Sequence, residues 1–111
     1  MKKKLYLVRH SDGFRLAKGE DFIFCEGLAL VREFNDPHDE KPKGMFALLD
    51  VESGLYVYWS MSKKKVIELW NERKETCIPA IKNARSLERY KQRVAEMELA
   101  RSSWRKCGYE V

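Results

Sequence analysis

The chain has 111 residues, a mass of 13.1 kDa and 22 Lys+Arg against 17 Asp+Glu, a net charge of +5 and a pI near 9.2. That length holds one domain with one ordinary core and excludes a cofactor domain joined to a substrate domain. The composition excludes collagen-like, low-complexity and wholly disordered chains, and the longest apolar runs, 28–31 and 45–49, fall far short of the roughly 20 residues a membrane helix needs.

The opening Met1-Lys2-Lys3-Lys4 has the basic character of a signal-peptide start, but the apolar segment behind it covers only 5–8 before Arg9 and His10 intervene. A secretory apolar region needs about 7–15 residues, so residues 3–10 are expected to form a first strand behind a solvated basic lead-in. Leu5 and Leu7 then face one side, Tyr6 and Val8 the other. Residues 22–25 and 28–34 flank Glu26-Gly27, a reversal that uses the positive φ of glycine. A polar, Pro-punctuated loop follows over 35–44.

Residues 45–51 and 55–60 surround Glu52-Ser53-Gly54, the pattern of a three-residue hairpin loop closed by a left-handed residue. That register sets Val51 opposite Leu55, Leu49 opposite Val57 and Ala47 opposite Trp59. On the other face it pairs Asp50 with Tyr56, Leu48 with Tyr58 and Phe46 with Ser60. Both faces are rich in apolar groups, so the second face is expected to be covered or to bind something. Tyr6, Phe46, Tyr56 and Tyr58 form a possible aromatic platform there, of the kind that stacks single-stranded bases.

After Ser60 the period changes. Ser62 is placed to cap a helix with apolar positions Val66, Ile67, Leu69 and Trp70, running to about Thr76. Pro79 suits the first turn of a second helix from about 79 to 106, whose stripe is Ile81, Ala84, Leu87, Tyr90, Val94 and Met97, then Arg101 and Trp104. The weakening after Met97 suggests that the last two turns overhang. The expectation is a single α+β domain over 1–111: an antiparallel sheet of four to five strands in 1–61, then a helical hairpin in 62–107 with a long last helix.

Cys25, Cys77 and Cys107 are odd in number and form no CxxC pair, which favours the reducing cytoplasm over a secreted disulfide framework. No metal site or cofactor is expected, because His10 and His38 stand far apart with no second ligand at helical spacing.

The segment Leu5-Tyr6-Leu7-Val8-Arg9-His10 resembles the opening strand of the histidine phosphatase (phosphoglycerate mutase-like) family, which ends in Arg-His-Gly. The resemblance implies a phosphorylated His10 with Arg9 holding the phosphate, plus a second His, a further Arg and an acidic proton donor in a larger α/β domain. Ser11 stands in place of the Gly, Asp12-Gly13-Phe14 departs from the family's continuation, and the only other histidine, His38, lies in the 35–44 loop. A phosphatase-type enzyme using His10 is therefore the least favoured reading. No nucleophile elbow or Gly-rich phosphate loop occurs, so a non-enzymatic protein is expected.

The charge is lopsided. Residues 1–78 hold 14 basic and 13 acidic side chains, and residues 79–111 hold 8 and 4. Lys82, Arg85, Arg89 and Arg93 recur at spacings of 3, 4 and 4, which places them on one face of a continuous helix with no acid at i+4 from the first three. Lys63, Lys64 and Lys65 cluster at a helix N-terminus, against its dipole. These seven residues are the candidate binding site, and the expected partner is nucleic acid or a nucleic-acid-processing complex. The alternative is a protein inhibitor or adaptor (a phage-type, anti-CRISPR-like antagonist, for example) that sets this stripe on an acidic protein surface, with a homodimer as one assembly state. No membrane partner is expected.

Overall fold

The computed structural model describes residues 3–111; Met1 and Lys2, the start of the expected basic lead-in, lie outside the described residues. Five strands, β1 (Lys4–His10), β2 (Gly13–Asp21), β3 (Leu28–Glu33), β4 (Phe46–Asp50) and β5 (Leu55–Ser60), form one antiparallel sheet in chain order. Helices α1 (Lys63–Arg85) and α2 (Glu88–Lys106) follow. The expected α+β architecture is therefore observed, with a long last helix. Among the described residues no helix is long and apolar enough to cross a membrane.

One strand differs from the sequence reading. The second strand is Gly13–Asp21, and residues 22–27 form the loop after it, with Gly27 at φ +84°. The strand at 22–25 is absent because Phe22 turns back instead: its amide bonds the Leu28 carbonyl at 2.9 Å, and its ring meets Trp70 edge-on at 5.2 Å.

The two sheet faces bury different cores. On one face Tyr6, Val8, Ala17, Ala29, Val31, Ala47 and Leu49 cluster with only strand and turn residues around them. The sheet closes this face by curling until β1 meets β5, and the Arg9 amide bonds the Gly54 carbonyl at 2.8 Å across the seam. Three alanines, in β2, β3 and β4, leave room for that curl. At Gly19 a Cβ would fall 2.0 Å from the Leu30 carbonyl oxygen, so the close approach of β2 to β3 requires glycine there. The opposite face presents Leu28 and Leu48 to Val66 and Trp70 of α1.

The β4–β5 hairpin carries a further correction. Phe46 pairs with Ser60, Ala47 with Trp59 and Leu48 with Tyr58 as expected, but a bulge then sets Leu49 opposite Tyr56 and Asp50 opposite Leu55. The connection is four residues, Val51 to Gly54, with Gly54 at φ +71°. The extra residue is Val57, and a one-residue slip moves every earlier side chain of the strand to the other face.

The helices do not form a tightly packed hairpin. α1 lies on β4 and β5, whereas α2 touches α1 and β1 slightly and to a similar extent. The boundary between them is also not where the proline places it. α1 starts as expected, with Ser62 accepting from the Lys65 amide at 3.4 Å, but it runs through Pro79 and ends at Arg85. Pro79 is exposed, so water can solvate the Glu75 carbonyl that its missing N–H leaves free. Cys77, Ile78 and Ile81, packed against the α1 core on either side of it, hold the helix together.

Pro79→Ala restores one helical hydrogen bond at a solvated position. The expected result is a stabilisation of about 2 kcal/mol, the interior proline penalty less the entropy proline removes from the unfolded chain, read as a rise in urea midpoint at unchanged slope.

Candidate nucleic-acid interface

The four helix cations no longer lie on one rod. Lys82 and Arg85 sit in the last turn of α1, Arg89 and Arg93 in the first turns of α2, and the chain bends between them at Ser86-Leu87. Arg85 is withdrawn from the proposed stripe. Its Nη2 donates to Asp50 Oδ1 at 2.8 Å and to the Glu26 carbonyl at 3.1 Å, and its Nε lies 3.3 Å from Asp50 Oδ1. A carboxylate from the protein's own sheet thus satisfies the cation that was to face a partner. Lys82 and Arg89 are exposed and Arg93 is half-buried; none has a carboxylate partner among the described residues. Lys63, Lys64 and Lys65 are exposed at the other end of α1, about 33 Å from Arg85 at 1.5 Å per residue.

Asp50 explains the bend. It is 7% exposed, and its second oxygen accepts from Ser53 Oγ at 2.6 Å and from Tyr90 Oη at 2.7 Å. Burial alone would raise its pKa, yet the bonds from Ser53, Arg85 and Tyr90 outweigh burial and hold it below the ordinary carboxylate value. Burial together with the Asp50 carboxylate pushes the Tyr90 hydroxyl up. Arg85 from α1 and Tyr90 from α2 converge on one acid, and the chain bends between the helices at Ser86-Leu87. Gly27 has φ +84°, which favours glycine, and a Cβ there would fall 2.6 Å from Arg85 Nη2, so the guanidinium would have to shift.

The far end of α2 is tied to the same hairpin and does not overhang at Arg101. That residue is 7% exposed, with its Nη2 bonded to the Val51 carbonyl and, at 2.8 Å, to the Glu52 carbonyl. Trp104, one turn on, is half-buried against Tyr109 at 5.0 Å.

The aromatic platform is split between the two sheet faces. Tyr6 and Tyr56 belong to the curled interior, whereas Phe46 and Tyr58 lie against the α1 core. The bulge at Val57 moved Tyr56 across. Its hydroxyl donates to Glu33, which is 3% exposed and also lies 2.8 Å from His10 Nε2 and 3.5 Å from Arg15 Nη1. Burial first, and then Glu33, raises the Tyr56 pKa. This cluster joins β1, β2, β3 and β5 at one end of the interior, and it occupies His10 in tying strands together. His38 stands in the exposed β3–β4 loop, its amide bonded to Asp36. Tyr6 closes the other end with a 2.8 Å bond to Asp21, which Lys4 also contacts at 3.2 Å.

Two of the expected site residues do come together. Phe46 and Lys63 line one groove of about 720 Å³, whose walls are the β2–β3 loop, the β3–β4 loop and the start of α1. Lys18 and Phe46 flank Arg32 in the cross-strand register of its floor. Sequence reading missed Arg32, Lys18, Lys41 and Phe24 here. The one available signal was Arg32, a guanidinium set in the apolar alternation of β3. Among the described residues no group of three or more His, Cys, Asp or Glu is placed to hold a metal ion, and all three cysteines are free. No family model, curated protein or solved structure matches the chain.

Asp50→Asn leaves half-buried Arg85 without its counter-charge and is expected to cost about 2 kcal/mol, less than breaking a fully buried pair. Because the folded pKa of Asp50 lies below its unfolded value, its contribution is complete above the unfolded pKa and is lost as pH falls through the folded one. Urea titrations between pH 7 and pH 2 should therefore show stability falling on the acid side, with a shallower fall in the Asp50→Asn variant.

Proposed function

We propose that this protein is a non-catalytic nucleic-acid-binding module whose helix cations contact phosphates. The observation that carries this reading is a contrast among its arginines and lysines. Arg9, Arg15, Arg85 and Arg101 each pair with an acid of the same chain and serve the fold. Lys82, Arg89, Arg93 and the Lys63–Lys65 cluster have no such partner among the described residues, and α1 carries no acid in its first turn to offset its three lysines. Lys82 complements the dipole at the end of α1, but Arg89, Arg93 and Lys63–Lys65 stabilise neither an ion pair nor a helix dipole and suit an external anion. The net charge of +5 favours encounter with a polyanion. The acid partner of Arg85 narrows the reading without removing it, because Arg89 and Arg93 lie beyond the bend.

Phosphate contacts release counterions, so binding should weaken steeply with salt. Six engaged cations on a single strand correspond to a slope of about −4 in log affinity against log salt concentration. Reversing Lys82, Arg89 and Arg93 together to Glu should weaken binding and flatten that slope by about 2, as read by fluorescence anisotropy from 50 to 300 mM salt. An affinity indifferent to salt, or a triple variant that binds like the parent, overturns the reading.

A further inference from the structure

The groove between the β2–β3 loop, the β3–β4 loop and the start of α1 has the chemistry of a single-stranded RNA site. We infer that it seats an unpaired stretch of RNA, with a base stacked on Phe24 and another on the outer plane of Arg32; this rests on the nucleic-acid reading above and names its ligand.

The floor is preorganised. Arg32 donates from Nε to the Gly44 carbonyl at 3.0 Å and from Nη2 to the Lys43 carbonyl at 3.3 Å. Those bonds hold its guanidinium over the Phe46 ring, 4.6 Å from the centroid. No carboxylate of the described residues neutralises it. A half-buried arginine held by two carbonyls with its guanidinium on an aromatic ring is a charged plane of the kind suited to a nucleobase.

The rim supplies the second plane. Phe24 is 69% exposed, and its ring meets Phe22 edge-on at 5.4 Å while Phe22 is itself anchored on Trp70. The aromatic tip is thus held in position yet left facing solvent, an arrangement that costs apolar exposure unless something stacks on it.

Charge selects the ligand. Lys18, Lys41 and Lys63 line the groove without carboxylate partners among the described residues, and Asp21 on the same wall is already taken by Lys4 and Tyr6. These three lysines and Arg32 form a cationic surround for a phosphodiester backbone. Glu20 and Glu40 also line the groove with no ion-pair partner, and they are acceptors. Ribose supplies a 2′-hydroxyl donor that deoxyribose lacks, which favours RNA over DNA. Duplex is disfavoured because its bases are already stacked and paired.

The test measures anisotropy of a labelled 12-mer oligouridylate at low salt with the parent chain, Phe24→Ala, Lys41→Glu and the Lys82/Arg89/Arg93 charge-reversal triple. Oligodeoxythymidylate and an RNA duplex of equal length serve as comparison ligands. The expected result is loss of roughly 5- to 150-fold in affinity for Phe24→Ala, the range that base–aromatic stacking spans. Lys41→Glu should weaken binding, and both DNA and duplex should bind more weakly than the single-stranded RNA. Both single variants alter exposed loop residues, and unchanged circular dichroism keeps their effect on binding separate from folding. If Phe24→Ala binds within two-fold of the parent while the triple variant loses binding, the groove assignment fails and the phosphate-binding reading stands. Equal affinity for the DNA oligomer, or for the duplex, overturns the assignment to single-stranded RNA. If the parent binds none of the three ligands, the nucleic-acid reading itself fails.

Discussion

Asp50 is where the sheet and the helices are made into one object. It ends β4, and from there its two oxygens receive a hydroxyl of its own hairpin turn, the guanidinium that finishes α1 and the phenol that begins α2. A buried carboxylate is tolerable only when its oxygens are satisfied, and here the donors come from three separate stretches of chain. The site therefore acts as a geometric specification. It sets where α1 stops, how sharply the chain turns and which end of the sheet the second helix approaches. Arg101 repeats the theme a few turns later by holding the carbonyls of the same hairpin, so α2 is attached to the β4–β5 connection at two points.

The curled sheet is secured in a different way. Its interior is apolar and small-chained at the centre, and each end is closed by a polar cluster: Tyr6 with Asp21, and Tyr56 with Glu33, His10 and Arg15. Tyr56 reaches Glu33 only because the hairpin slips by one residue at Val57. Closure of the curl and the position of that aromatic ring are thus one event. His10 is part of the closure through Glu33, whereas the Arg9 side chain pairs with Glu96 of α2.

Much of the architecture was legible in the residues. The alternation of β1, the apolar runs of β3 and β4, the Gly54 turn and the Ser62 cap all have local causes, and each appears in the structure. β2 was not legible. Its pattern, Gly13-Phe14-Arg15-Leu16-Ala17-Lys18-Gly19-Glu20-Asp21, is small where the curl is tight and charged where the strand meets the groove, so its reason lies in tertiary packing. The helix boundary failed for a similar cause. A proline is a local signal, but the apolar contacts on both sides of Pro79 override it, and no glycine or proline announces the bend at Ser86-Leu87. Of the candidate site, the absence of an acid at helical spacing from Lys82 and Arg89 followed from the sequence, as it did for Arg85. The capture of Arg85 did not, since Asp50 lies 35 positions away in the chain. The groove was invisible for the same reason: its walls come from two loops and the start of a helix that are not adjacent in sequence.

The irregularity at Val57 has a consequence for how copies of this chain behave toward one another. β5 lies at the border of the sheet, where a regular strand would offer its free amides and carbonyls as a template for a neighbouring molecule. A ladder interrupted midway cannot be copied in register, and the local twist turns the row of donors out of line. The same extra residue that carries Tyr56 inward therefore also makes this border a less regular template for an added strand.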